Sequence, residues 1–76
     1  MSEFYEGIAE ILEVDTEAIN SSFNLHSGEA PWDSLAVVSV IALIDEVFNI
    51  LVDGQALANC ATVADIEMLV ESTKKN

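Results

Sequence analysis

The sequence predicts a small all-α domain, a four-helix bundle with three longer helices and one short one. Three observations carry this. Apolar residues recur at helical spacing over residues 3–14, 34–48 and 63–73. No pair of alternating segments is present from which to build a sheet. At 76 residues the chain reads as one domain, residues 1–76. One core of that size supplies only about 3–5 kcal/mol of stability.

The first helix is expected over Glu3 to Val14. Glu3, Glu6, Glu10 and Glu13 fall on one side of a helical wheel, and Phe4, Tyr5, Ile8, Ile11 and Leu12 on the other. Ser2 is a candidate N-cap, and Gly7 weakens the helix by roughly 1 kcal/mol relative to Ala. Asp15 to Ile19 reads as a short helical turn. Asn20 to Pro31 is rich in Ser, Asn, Gly and Pro and reads as a long loop, with Phe23 and Leu25 pinning it to the core.

The second helix runs from Ser34 to Phe48. Val37, Val40, Ile41, Ile44 and Phe48 form a stripe about 100° wide, the width of a core face. Leu35, Val38 and Ala42 fall on the far side, beside Ser39, Asp45 and Glu46. So small a domain cannot bury both faces. The second strip is therefore a docking surface rimmed by acid, unless another element covers it. Asn49 to Asp53 has some strand character and ends in the turn pair Asp53-Gly54, but no partner strand follows. It reads as a loop, followed by a short third helix from Gly54 to Asn59. Thr62-Val63-Ala64-Asp65 has the form of a capping box, with Asp in place of Glu or Gln. The helix it opens runs to about Thr73, with Val63, Ile66, Leu69 and Val70 facing inward.

Composition narrows the function. Fourteen acidic residues stand against two basic ones, for a formal charge of −12, and both cations, Lys74 and Lys75, lie at the C-terminus. Such a body repels nucleic acid and anionic membrane surfaces and attracts basic protein surfaces. At 51% hydrophobic residues it is not a disordered acidic chain. The lone Cys60 lies among Leu57, Ala58, Ala61 and Val63 and reads as a buried small hydrophobe. A reactive thiol needs an electropositive setting, which this sequence lacks. No signal peptide or membrane span is apparent, so the cytoplasm is the expected location. A monomer is expected. So little material encloses an active site poorly, which favours a module acted on by others over an enzyme.

The most informative segment is Pro31-Trp32-Asp33-Ser34-Leu35, where the irregular stretch gives way to the long apolar run. A serine there is either a helix N-cap or an exposed hydroxyl at the mouth of a helix. Asp33-Ser34-Leu35 in this place, with the acidic first helix, the long loop, the ending Ile44-Asp45-Glu46-Val47-Phe48 and the last helix opened by Thr62-Val63, resembles the acyl carrier protein family. The likeness covers nearly the whole chain.

The resemblance implies an acyl-carrier-protein-like bundle that carries 4′-phosphopantetheine on Ser34. A phosphopantetheinyl transferase would install the arm from coenzyme A. The arm would hold an acyl or aminoacyl group as a thioester, charged by a loading ligase or synthetase and passed to a downstream transferase or synthase. Asp33 is implied to present Ser34 to the transferase, with or without a metal ion, or else serves as a cap or dipole partner. Leu35 and Val38 match positions where family members touch partners. The implied docking set is Trp32, Leu35, Val38, Ala42, Asp45 and Glu46. Trp32 packs under the arm, meets a partner or anchors the loop.

Two features depart from the family's fatty-acid members. Pro31-Trp32 replaces a small pair before the motif, and Ala36 and Ser39 stand where acids are usual. They point to apolar docking and a specialised pathway, with amino acid, hydroxy acid or short acyl cargo.

Three rival readings fit the sequence less well. A hydrolase built on Ser34, Asp33 and His26 lacks a nucleophile elbow, and Asp33 adjoins the serine instead of orienting the histidine. Dedicated metal binding lacks EF-hand spacing, so no metal site is expected beyond weak surface binding. A plain helical adaptor without a prosthetic group explains the apolar strip but not the exposed serine beside it.

Overall fold

The computed structural model describes residues 2–27 and 31–75, with the side chains of Ser2 and Lys75 left aside. Four α-helices appear in the expected order: α1 Ser2–Leu12, α2 Ser34–Phe48, α3 Gly54–Ala58 and α4 Val63–Lys75. Short 3-10 turns occupy Thr16–Ala18 and Leu25–Ser27. The first is the turn expected after α1. The second is a piece of order inside the expected loop. The Ser2 side chain, the candidate cap of α1, and residues 28–30 of that loop lie outside the described parts.

α1 stops two residues earlier than its apolar pattern suggests. Glu13 turns left-handed, at φ 58. The Val14 N–H then reaches the Ala9 carbonyl at 3.0 Å and the Glu13 N–H the Glu10 carbonyl at 3.3 Å. This is a Schellman end with glutamate where glycine is usual, at a conformational cost of roughly 1–2 kcal/mol. α2 also ends on a left-handed residue, the better-suited Asn49 at φ 58 and ψ 42, in the simpler form in which its N–H reaches the Asp45 carbonyl at 2.8 Å.

The core lies where the helical faces meet. Phe4, Ile8 and Leu12 from α1, Val40 and Ile44 from α2, Leu57 from α3 and Val63 and Ile66 from α4 are fully buried. Leu25 joins them from the loop, and Phe4 meets Phe48 edge to face with ring centroids 5.3 Å apart. Ile41 and Phe48 complete the expected core stripe of α2 as half-buried residues. Gly7 allows α1 to approach α2 closely. A Cβ there would stand 2.5 Å from Cδ1 of Leu43.

The long loop is knitted to the start of α4 as expected of a segment pinned by Phe23 and Leu25. Leu25 N–H bonds the Ala61 carbonyl at 2.9 Å, Val63 N–H the Phe23 carbonyl at 3.1 Å and Ala64 N–H the Ser21 carbonyl at 2.9 Å. A side-chain bracket adds to this: Glu67 accepts from the Tyr5 hydroxyl and the Ser21 hydroxyl, each at 3.0 Å. α1, the loop and α4 are thereby tied together, so the segment leading to α2 starts from a fixed base. Among the described residues no helix is long and apolar enough to cross a membrane.

Candidate functional site

The N-termini of α4 and α2 are finished differently. At α4 the capping box closes as its sequence suggests. The Asp65 N–H reaches Thr62 Oγ1 at 3.3 Å, while Asp65 Oδ2 accepts from the N–H groups of Ala61 at 3.0 Å and Thr62 at 3.2 Å. Val63 and Ala64 give their N–H groups to the loop carbonyls. Every early donor of α4 is used. The bonds from Ala61 and Thr62 hold the Asp65 carboxyl below the ordinary carboxylate range, against a smaller opposing effect of burial.

At α2 the cap is Asp33, not Ser34. Asp33 Oδ1 accepts from the Ala36 N–H at 3.1 Å, and the Val37 N–H makes the first intrahelical bond to the Asp33 carbonyl at 2.9 Å. Ser34 is thus the first residue of the helix, exposed to solvent. Of the two readings of this serine, exposed hydroxyl rather than cap is the one the geometry supports. Among the described residues the N–H groups of Ser34 and Leu35 have no acceptor. The head of α2 thus presents, among the described residues, two unused donors and the positive end of its dipole.

Trp32 fixes the approach to this end. Its ring is half-buried against the core and its Nε1 donates to the Ala58 carbonyl at 3.3 Å, so it anchors the segment to the end of α3. Downstream, Leu35 is 74% exposed and Val38 61%, and Ala42, Asp45 and Glu46 are exposed on the same side of α2. No described element covers this strip. Ala36, two residues after Ser34, is buried. His26 is exposed in the 3-10 turn Leu25–Ser27. Among the described residues no group of three or more His, Cys, Asp or Glu side chains is arranged to hold a metal ion.

The family model described as phosphopantetheine attachment site matches residues 2–70. The chain belongs to that family. It is a phosphopantetheine carrier with an acyl-carrier-protein-like helical bundle. No curated protein matches the sequence at a significant level.

Carriers of this family bear 4′-phosphopantetheine covalently on a serine, and they work with a phosphopantetheinyl transferase and with acyl-handling enzymes. The residues at the head of α2 fit such a group. A phosphodiester is an anion, and the unused N–H groups of Ser34 and Leu35 at a helix N-terminus suit one. The carrier's own thiol is kept apart from this chemistry. Cys60 is buried, its Sγ lies 3.5 Å from the Ala56 carbonyl oxygen, and burial, then the charge of Asp65, pushes its pKa up.

Proposed function

We propose that Ser34 is the attachment serine and that the strip Leu35, Val38 and Ala42, with Trp32, Asp45 and Glu46 around it, is where partner enzymes dock. The single observation that carries this reading is the division of labour at the head of α2. Asp33 takes the cap, which leaves the Ser34 hydroxyl exposed and, among the described residues, two N–H groups unused beside it.

When attached, the arm supplies a thiol that holds cargo as a thioester; with a thiol pKa of about 8.5, thiolate leaves far more readily than alkoxide. The protein's part is to hold the attachment point. Ser34 and Leu35 N–H groups meet the phosphodiester charge, and Asp33 fixes the first turn. Trp32 holds the entering segment against α3, so the hydroxyl is presented from a rigid base. The apolar strip one turn further along gives a partner its grip, and the acidic rim steers basic surfaces toward it. Apolar contact outweighs charge in the first turns, because Ala36 and Ser39 carry none. That balance favours partners of a specialised biosynthetic pathway: an acyl- or aminoacyl-loading ligase or synthetase and a downstream transferase or synthase.

The test is intact-protein mass after incubation with coenzyme A, magnesium and a broad-specificity phosphopantetheinyl transferase, with Ser34→Ala alongside. The expected result is a gain of one phosphopantetheine in the parent and none in the variant, both folded. A gain that survives in Ser34→Ala would move the attachment point elsewhere. No gain in the folded parent with several transferases would favour a docking module without an arm.

A further inference from the structure

A groove of about 340 Å³ lies beside Ser34, between the end of α1 and the start of α2. That volume is within the range of about 300–1,000 Å³ in which proteins hold small molecules. Both chain neighbours of Ser34, Asp33 and Leu35, line the groove, so anything attached to Ser34 begins at its edge. Half-buried Ile11 and buried Ala36 supply apolar surface, and exposed Pro31 forms part of the rim.

Its polar groups are the hydroxyl of Ser39 and the carboxylates of Glu13 and Asp33. Asp33 already spends Oδ1 on its cap. Among the described residues the Glu13 carboxylate makes no hydrogen bond or ion pair. No basic side chain lines the groove, so an anion is repelled from it. A neutral ligand with N–H donors and compact apolar groups is suited to it. Beyond its phosphate, the pantetheine part of the arm is such a ligand, with two amide N–H groups, a hydroxyl and a geminal pair of methyls.

We infer that the pantetheine segment of the arm rests in this groove, its methyl pair against Ile11 and Ala36 and its amide N–H groups toward Glu13 and Ser39. The phosphate stays outside the groove, at the Ser34 and Leu35 N–H groups at the head of α2, where the helix dipole offsets the neighbouring Asp33 carboxylate. This inference rests on Ser34 being the attachment point.

The experiment is NMR on uniformly labelled protein, apo and enzymatically loaded, with loading verified by mass. In the loaded form, nuclear Overhauser contacts are expected between the methyls of the arm and the side chains of Ile11 and Ala36. The amide signals of Glu13 and Ser39 should shift from their apo positions. Two variants probe the groove without touching Ser34. Glu13→Gly removes the carboxylate at a left-handed position that glycine favours, and Ser39→Leu fills the groove with a helix-favouring side chain. Both, once loading is verified by mass, should lose more than half of the contact intensity. Loaded parent protein whose arm shows no contact with Ile11 or Ala36 overturns the inference, as do contacts unchanged in both variants; Ser34 then remains the attachment point. Failure to load at all overturns Ser34 itself, and this inference with it.

Discussion

The side chain of Asp33 closes the N-terminus of α2, and asparagine closes such ends as well as aspartate does. Substitution therefore separates the cap from any role in loading. Asp33→Ala should cost about 1 kcal/mol, which lowers the melting temperature of a domain this size by about 4–8 °C. Asp33→Asn should melt near the parent. If Asp33 also presents Ser34 to the transferase, Asp33→Asn loads more slowly although it is folded; equal loading rates would reduce Asp33 to a cap. The sequence offers two adjacent good caps, Asp33 and Ser34, and local preference does not choose between them. The choice depends on how the Trp32 anchor delivers the backbone, which is tertiary information. Glu13 was illegible for a related reason, since glutamate carries no signal for a left-handed helix end. Asn49 does carry such a signal.

Among the elements, α1 and α2 depend on one close contact. Read along α1 alone, Gly7 is a weak point in a helix; read against α2, it is the space that Leu43 occupies. Gly7→Ala should therefore destabilise the parent by about 1 kcal/mol through overpacking. In a Leu43→Ala background the same change should stabilise by about 1 kcal/mol, because only helix propensity remains. Urea denaturation of the four proteins measures this sign reversal, and equal effects in both backgrounds would refute the contact. The α4 capping box was legible from Thr62 and Asp65 because both partners lie within one turn. Its pairing with the loop at Asn24 was not, because that contact joins segments far apart in sequence. The depressed pKa of Asp65 makes the box sensitive to pH. As acid is added the unfolded chain binds this proton first. The stabilisation is full above the unfolded value, about 3.9, and is lost as pH falls through the lower folded value. Thermal melts from pH 7 downward should show Asp65→Asn less stable than the parent at neutral pH, with the gap closing below about pH 4. A gap that stays constant would mean that the charge of Asp65 contributes nothing.

At the scale of the whole molecule, charge dominates. The formal charge is −12, and Lys74, 3.9 Å from Glu71 and 5.8 Å above the Phe48 ring, offsets little of it. Self-repulsion acts against the compact state, and salt screens it over a Debye length of about 8 Å near 0.15 M. The melting temperature should rise from low salt to about 0.15 M sodium chloride, and rise further with millimolar magnesium. A melting temperature flat across both titrations would show that the surface charge is too dispersed to matter. The bundle was legible because each long helix carries its own periodic stripe. The two unused N–H groups at α2 were not, because they follow from where the cap falls.

A protein that holds cargo as a thioester faces a hazard from within, since any free thiolate nearby is an acceptor for that cargo. Exchange needs both access and ionisation. Cys60 is poorly supplied with both, being buried in the core with its pKa pushed up by burial and by the charge of Asp65. Burial of its one thiol thereby disfavours self-acylation, and a departing acyl group is left to a partner enzyme or to water.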